Sequence, residues 1–234
     1  MNFIGVTITD LTDYYKEMTI RSIKSFLKFH DTKLIVYIIG DKELEFNHQN
    51  LEIIHVPRIT GSDTRISNPI YDKISDILIN KLMCLTKHTN FIFFENDVFF
   101  LRNVNEIWNS LKDGITGTRV CMDSRRCKVG INTGLLCIKN YQLSYTLSDI
   151  NEYFSTHKLW HPCDQFITSY AKNSINYHNT INLIVSNYAR STEVSIIDDV
   201  YAAHYVGRNK IYTDNYKSTV FLNLLKRKLD TITK

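Results

Sequence analysis

The sequence predicts one α/β domain with a mostly parallel central sheet and helices on both faces. In the first half of the chain, short apolar runs alternate with amphipathic segments, the order that produces parallel strands joined by helices. The length of 234 residues is enough for one such domain with a sizeable core. With only 8 Gly and 3 Pro, the chain shows no linker rich in these residues that would mark a second domain.

The predicted sheet starts at the N-terminus of the chain. Residues 3–9 (FIGVTIT) predict a short buried strand, and residues 14–30 follow with apolar side chains at helical spacing. The run 34–39 (LIVYII) is continuously apolar, which indicates a strand buried on both faces. A further strand over 51–56 ends before Pro57.

A helix and another strand then lead to an acidic segment. Residues 72–88 carry apolar side chains on one face and predict a helix. The run 91–94 (FIFF) predicts a buried strand, which stops abruptly at Glu95, Asn96 and Asp97. This strand would join the parallel sheet.

The second half of the chain has a more mixed pattern. A strand over 134–138 (GLLCI) precedes a helix over about 142–155, and another helix begins near Asp164. Residues 200–206 (VYAAHYV) predict a strand, and residues 216–232 predict a C-terminal helix.

The C-terminal helix is amphipathic and basic, with Lys226, Arg227 and Lys228 beside its apolar residues. Such helices commonly pack on their own domain with the lysines in solvent. We therefore expect a domain over 1–214 and a helix within 215–234 that packs on it. Since basic amphipathic helices also lie on anionic membranes, a peripheral membrane contact stays open as an alternative.

Composition narrows the class of function and the compartment. A net charge of +4 is too mild to indicate nucleic-acid binding, although it suits a small anionic ligand. The five cysteines include no CxxC pair, which favours reduced thiols in a cytosol-like compartment. The N-terminus has no signal-peptide pattern and no stretch reaches the length of a membrane span. We expect a soluble, cytoplasmic protein that binds no nucleic acid.

Glu95 and Asp97 are the most informative residues of the chain. In an extended segment residues i and i+2 point the same way, so both carboxylates would project from the carboxyl end of a buried strand. Ligands of open α/β sheets bind at that edge. Two carboxylates there repel each other unless a cation lies between them, and Mn²⁺ or Mg²⁺ would also hold phosphate oxygens. The alternative is a solvated acidic loop, or helix capping by Asp97.

Two polar segments could hold a sugar. Asn132 and Thr133 lie beside Gly134, so that an amide and a hydroxyl could bond sugar hydroxyls at close range. The alternative is an ordinary turn before a strand. Asp164 and Gln165 open a predicted helix, where Asp164 would either lie beside a transferred sugar or act as a helix N-cap.

A third segment follows the last predicted strand. A neutral imidazole at His204 can complete a carboxylate metal site, and mixed oxygen and nitrogen ligation suits Mn²⁺. Gly207 would let the backbone approach a phosphate closely. Lys210 would neutralise the charge on a leaving diphosphate. Each of them also has a purely structural reading, with His204 in the core and Lys210 in solvent.

Together these segments resemble glycosyltransferase family 8, and within it the glycogenin-like members. All of them occur in the order found in that family. They spread over residues 6–210, nearly the whole chain. The matching segments are Val6–Thr9 with Tyr14, Asn80–Leu85, Phe93–Val98, Ile131–Leu135, Asp164 with Gln165, and His204–Lys210.

The resemblance implies a GT-A fold with a Rossmann-like sheet and an enzyme that transfers a hexose, glucose above all, from a UDP-sugar with retention of anomeric configuration. Mn²⁺ (or Mg²⁺) would be the cofactor, and a glycan, protein or lipid the acceptor. A homodimer is also implied. The implied metal ligands are Glu95, Asp97 and His204; the catalytic residues are Asp164, Gln165 and Lys210; and the donor contacts are Thr7, Ile8, Thr9, Tyr14, Lys81, Asn96, Asn132, Thr133, Gly134, Gly207 and Lys210.

The chain departs from the family pattern in three places. The first motif acid is Glu95 rather than Asp, a longer arm. Ile211 and Tyr212 replace the usual Pro-Trp after the lysine. Tyr188 lies only loosely where a self-glucosylated tyrosine would be, so self-glucosylation is not expected.

Two other functions are weighed against transfer. A sugar nucleotidyltransferase would show a glycine-rich basic loop near the N-terminus, but residues 5–16 contain one glycine and only Lys16. A non-catalytic nucleotide-sugar binding module is favoured only by the Glu95 substitution. Transfer of a sugar is the leading hypothesis.

Overall fold

The computed structural model describes most of the chain. The described residues are 3–59, 75–123, 128–157, 161–178, 180–181, 183–185, 200–205 and 220–234.

A seven-stranded mixed sheet forms the centre of the molecule. Its strand order is β3-β2-β1-β4-β7-β6-β8. The strands are β1 (Ile4–Thr9), β2 (Leu34–Ile39), β3 (Leu51–Val56), β4 (Phe91–Phe94), β6 (Gly114–Asp123), β7 (Lys128–Lys139) and β8 (Ile175–Tyr177). The first four are parallel, β7 runs antiparallel to β4 and β6, and β8 is again parallel to β6. The predicted mostly parallel α/β sheet is confirmed.

Helices cover both faces of this sheet, as predicted. They are α1 (Asp13–Phe29), α2 (Ser75–Leu85), α3 (Asn105–Trp108), α4 (Leu147–Thr156), α5 (Pro162–Tyr170) and α6 (Val220–Thr233). Alternate residues of β2 enter two different cores: Ile35 and Tyr37 pack with α2, α4 and α5, whereas Val36 and Ile38 pack with α1 and α3. β2 is apolar along its whole length because both of its faces are buried.

A second, three-stranded sheet joins β5 (Val98–Phe100), β10 (Ala202–Tyr205) and β9 (Leu183–Val185) in the order β5-β10-β9. β5 runs antiparallel to β10, which sets Val98 opposite His204. α6 packs on α1, where Leu225 and Leu229 are fully buried and Arg21 forms a 3.2 Å ion pair with Asp230. Within the described part of the chain, no helix has both the length and the apolar character needed to cross a membrane.

Several predicted elements differ from the observed ones. The helix predicted over 142–155 begins only at Leu147, because Thr146 caps it in a reciprocal capping box with Asp149. Residues 131–134 lie inside β7, so the reading of that segment as a turn before a strand is wrong. The strand over 200–206 is observed as Ala202–Tyr205 and the helix over 72–88 as Ser75–Leu85. Residues 72–74, 206 and 216–219 lie outside the described residues.

Candidate active site

Glu95 and Asp97 follow β4 at its carboxyl end, as the sequence predicts, but the chain there is not extended. The backbone N–H of Val98 donates to the Glu95 carbonyl at 3.1 Å, which closes a tight turn over the acidic segment. The N–H of Glu95 donates to the Gly134 carbonyl at 2.8 Å and ties the turn to β7. The alternation argument for their shared direction is therefore wrong, because a turn and not a pleat orients the two carboxylates.

His204 reaches the two acids through the small sheet. The β5–β10 pairing is extended by the N–H of Tyr205, which donates to the Asp97 carbonyl at 3.0 Å. His204 Nε2 lies 3.2 Å from Asp97 Oδ1 and 3.3 Å from Glu95 Oε2. One ligand atom from each of the three residues lies within 4.8 Å of the others.

Asn132 determines which nitrogen of His204 carries a hydrogen. Its Oδ1 accepts from the Gly134 N–H at 3.2 Å, and because a backbone N–H can only donate, that atom is an acceptor. The same oxygen lies 3.0 Å from His204 Nδ1, which must then be the protonated nitrogen. In the neutral ring this leaves the lone pair on Nε2, the atom that faces the carboxylates.

Gly134 makes room for the imidazole. A Cβ atom built on Gly134 would overlap the ring of His204. A side chain here would push the imidazole away from the two acids, since the ring is buried on all sides. The glycine predicted to approach a sugar is thus required by the histidine of the site.

Lys81 links the acidic turn to β7 and α5. Its buried ammonium donates to Glu95 Oε1 at 2.5 Å and to Thr133 Oγ1 at 2.9 Å. The Thr133 hydroxyl and backbone N–H both donate to Asp164 Oδ1, at 2.5 and 2.8 Å. The predicted residues Lys81, Thr133 and Asp164 therefore form one hydrogen-bonded chain with Glu95. Asp164 lies in the first turn of α5 and is not its N-cap, which is His161.

The charges of the site shift one another's pKa. Burial lowers the pKa of His204, but hydrogen bonds and charge from Asp97 and Glu95 outweigh it and raise the pKa to about 9. Burial raises the pKa of Glu95, yet Lys81 and His204 hold it well below its usual range. Burial opposes the charge on Lys81, and Glu95 nevertheless raises its pKa. Lys81, Glu95 and His204 thus stabilise one another's charged forms.

The residues present fit a divalent cation. Two carboxylate oxygens and an imidazole nitrogen form the hard, mixed donor set that suits Mn²⁺ or Mg²⁺ better than a soft metal. Glu95, Asp97 and Asp164 bring three negative charges, of which Lys81 offsets one. With His204 neutral, two charges are left for a divalent ion to balance.

The other predicted site residues lie on several different elements. Gln165 Oε1 accepts from the His161 N–H at 2.9 Å and so closes the start of α5, rather than standing free beside the site.

Asn96 is half-buried in the acidic turn. Tyr14 is exposed at the start of α1 and contacts the Tyr15 ring edge-on. Thr7, Ile8 and Thr9 are buried in β1, next to β4. Gly207, Lys210, Ile211, Tyr212 and Tyr188 lie outside the described residues.

Two serines that the sequence argument missed support the end of the acidic turn and the strand β5 that follows it. Ser22 Oγ donates to the Val98 carbonyl at 2.5 Å, and Ser25 Oγ accepts from the Phe100 N–H at 2.9 Å. Both serines are buried on the inner face of α1. Hydroxyl side chains among the apolar residues of the inner face of α1 were the available signal, because a buried hydroxyl needs a partner.

Three solved structures that resemble this chain are glycosyltransferases. The galactosyltransferase LgtC, in complex with donor and acceptor sugar analogs, matches with a TM-score of 0.70 over 99% of this chain and 97% of its own, at 14% identity. GlyE from Streptococcus pneumoniae TIGR4 matches at 0.63 over 99% of this chain and 63% of its own, at 12% identity. Mouse xyloside xylosyltransferase 1 matches at 0.54 over 89% and 99%, at 11% identity.

These likenesses define the fold. It is the GT-A fold of glycosyltransferases, a mixed α/β architecture with helices around a mostly parallel sheet. No family model and no curated protein matches the sequence.

Proposed function

We propose that this protein is a metal-dependent, retaining glycosyltransferase that transfers a hexose, with glucose favoured, from a UDP-sugar. The observation that carries the proposal is the convergence of Glu95, Asp97 and His204 at the carboxyl end of β4. In open α/β sheets ligands bind at that end of the strands. The GT-A neighbours and the ordered resemblance to glycosyltransferase family 8 point to the same reaction class.

A bound Mn²⁺ (or Mg²⁺) would supply positive charge for the diphosphate of the donor. Glu95, Asp97 and His204 would hold it, and Asn132 keeps His204 Nε2 directed at the position between the acids. Lys81 orients Glu95 through its other oxygen, so that one longer side chain contacts both Lys81 and His204. The Glu in place of the family's Asp thus has a defined structural role.

The donor sugar would lie between Asp164 and the acidic turn. Thr133 fixes the Asp164 carboxylate with two hydrogen bonds, which leaves that group oriented before a substrate arrives. Asn132, Thr133, Gly134 and Gln165 would line the sugar, and the β1 residues Thr7, Ile8 and Thr9 with Tyr14 and Asn96 the nucleoside. Gly207 and Lys210 would contact the diphosphate. UDP would leave and the acceptor would attack on the same face of the sugar, so retention obliges no side chain to be a covalent nucleophile. Positioning and charge would then do most of the catalysis.

The acceptor of the proposed reaction would be a glycan, protein or lipid. LgtC, which shares the fold, is described with a sugar acceptor analog, and this favours a glycan. A peripheral membrane contact of α6 and a homodimer stay predictions, as does a cytoplasmic location.

A non-catalytic nucleotide-sugar binding module is the second candidate. The observation that favours it is the short ion pair between Lys81 and Glu95, since it engages one oxygen of a proposed metal ligand. Such a module would bind UDP without turning over any UDP-sugar.

The proposal is tested by incubating the protein with a panel of UDP-sugars, with Mn²⁺ and with EDTA, and by measuring released UDP. We expect slow hydrolysis of one donor in Mn²⁺ only, because water replaces the missing acceptor. UDP binding without any hydrolysis or transfer would identify the binding module. Turnover that is equal in EDTA would contradict the metal site.

A further inference from the structure

Helices α4 and α5 enclose a groove that the proposed chemistry does not use. It has a volume of about 240 Å³, and both of its walls are helical. α5 connects it to the candidate active site, because the first turn of α5 carries Asp164 and its last residue, Tyr170, lines the groove. Six residues of helix rise about 9 Å and turn by about 120° net, so a ligand that reaches from one place to the other must pass around α5.

Aromatic rings form the floor and sides of this groove. Tyr170 exposes 40% of its surface, and its ring lies nearly parallel to the buried Phe166. Its hydroxyl is 3.0 Å from Ser144 Oγ, which fixes the orientation of the ring. On the other wall Tyr153 and His157 stack at 4.0 Å between ring centres. The exposed and fixed ring of Tyr170 can bind the apolar face of a ligand with little loss of entropy.

Hydrogen-bonding groups surround the rings. Asp149 and Glu152 bring carboxylates, and Thr156 and Ser169 bring hydroxyls. Hydrogen bonds from the Thr146 backbone and hydroxyl lower the pKa of Asp149, so its carboxylate is charged at neutral pH. Lys and Arg are absent from the described residues that line the groove. Two acids without a cation exclude a phosphate or a nucleotide.

We propose that the α4–α5 groove is a saccharide-binding subsite that holds a distal sugar residue of an oligosaccharide acceptor. A neutral sugar has an apolar ring face for Tyr170 and hydroxyl donors for the carboxylates. The volume lies below the roughly 300–1,000 Å³ of sites for drug-sized ligands, which suits one sugar residue of a chain. This subsite rests on the proposed function, since it assigns a glycan to the acceptor.

The subsite also contacts the active-site helix directly. The Tyr153 hydroxyl donates to the Gln165 carbonyl at 3.2 Å, one residue from Asp164. A glycan seated in the groove would have to pass around α5 to reach the reacting sugar. The groove residues themselves would bind and not take part in the chemistry.

Binding is tested first, without any donor. Neutral trisaccharides (maltotriose and N-acetylchitotriose) and the cationic peptide trilysine are titrated into the labelled protein, and backbone amide shifts are followed by NMR. We expect a trisaccharide to shift amides of α4 and α5, and Tyr170→Ala to raise its Kd roughly fivefold or more, as loss of one aromatic contact implies. Tyr170→Phe, which keeps the ring, should bind like the parent.

The matched control is Tyr177→Ala. Tyr177 is exposed to a similar degree, 38%, but lies on β8 and lines no part of the groove. We expect this variant to bind the trisaccharide like the parent. A thermal melt of each variant excludes loss of fold as the cause of weaker binding.

Three results would overturn the subsite: no trisaccharide shifts the groove amides, trilysine alone shifts them, or Tyr170→Ala and Tyr177→Ala behave alike. In the transfer reaction Tyr170→Ala should raise KM for a trisaccharide acceptor and leave the hydrolysis of UDP-sugar unchanged. If the parent hydrolyses no UDP-sugar, the proposed function fails, and the NMR titration still decides whether the groove binds saccharide.

Discussion

Two buried histidines lie near opposite ends of the central strands and have opposite electrostatic surroundings. His204, at the carboxyl end of β4, faces two carboxylates, and its pKa is raised to about 9 despite burial. His30, at the end of α1, lies between the rings of Phe26 and Phe100, and burial lowers its pKa to about 4. Burial thus favours the neutral form of His30, whereas the two carboxylates favour the charged form of His204 as long as no metal ion is bound.

The hydrogen bonds explain why the second histidine is structural. His30 Nδ1 donates to the Phe26 carbonyl at 2.8 Å, and its Nε2 accepts from the Val104 N–H at 3.0 Å. Both nitrogens of the neutral ring are satisfied by backbone, and a second proton would meet an N–H group. A buried histidine bound to backbone stabilises a fold, whereas one that faces carboxylates is a candidate ligand.

The largest effect is expected for Asp97→Ala, which removes one of the two carboxylates that distinguish the surroundings of His204 from those of His30. We expect metal-dependent turnover of the UDP-sugar to fall by more than about a hundredfold, because the diphosphate loses its charge partner. Activity and the melting temperature should be measured together. Asp31→Ala, an exposed acid beside His30, is the matched control and should keep full activity. Full Mn²⁺-dependent activity in Asp97→Ala would refute the site.

The neutral state of His30 can be tested through the pH dependence of the free energy of unfolding. The folded pKa of about 4 lies below the ordinary 6.5, so the unfolded chain binds a proton first as the pH falls. The contribution of His30 to the free energy of unfolding is therefore complete above pH 6.5. Roughly 3 kcal/mol of it is lost as the pH falls from about 6.5 to 4. Urea unfolding at several pH values should show a smaller decline in His30→Gln than in the parent. Identical pH slopes would contradict a neutral His30.

The orientation of His204 is tested by Asn132→Ala. Loss of the acceptor for Nδ1 should weaken Mn²⁺ binding roughly 10- to 100-fold, the usual effect of removing such a partner. The affinity can be measured from the EPR signal of free Mn²⁺. Asn132→Asp keeps an acceptor oxygen and should bind close to the parent. If Asn132→Ala binds Mn²⁺ as tightly as the parent, Asn132 does not orient the ligand.

The smallest effect concerns β5, the strand that joins the two regions. Val98 pairs with His204, and Phe100 contacts His30. Ser25→Ala removes the acceptor of the Phe100 N–H, and we expect a loss of about 1 kcal/mol in the free energy of unfolding. Ser110→Ala, an exposed serine, should change it little. Equal effects in urea unfolding would show that the Ser25 bond does not stabilise β5.

Local patterns predicted the parallel half of the fold well, because its buried strands are short and largely apolar runs. β2 over Leu34–Ile39 and β4 over Phe91–Phe94 match their predicted ranges. The three-residue strands β5, β8 and β9 are too short to show a period, and the long antiparallel β6 was missed because its pattern is mixed. α4 begins at Leu147 and not near residue 142, because the capping box at Thr146 sets its first residue.

The sequence likewise predicted some features of the candidate site and could not predict others. Glu95, Asp97 and His204 were predicted as ligands, and they are brought together by a turn and by pairing between residues about a hundred positions apart. The roles of Gly134 as space for the imidazole and of Ser22 under the turn depend on neighbours distant in sequence. Sequence spacing carries no information on such contacts.

By itself, the sequence determined the buried strands, the amphipathic helices and the identity of the acids that follow β4, because these depend on residues adjacent along the chain. Only the tertiary structure decided that His204 faces those acids while His30 faces aromatic rings. Burial and partner charges set the state of a histidine, and both arise when distant segments pack together.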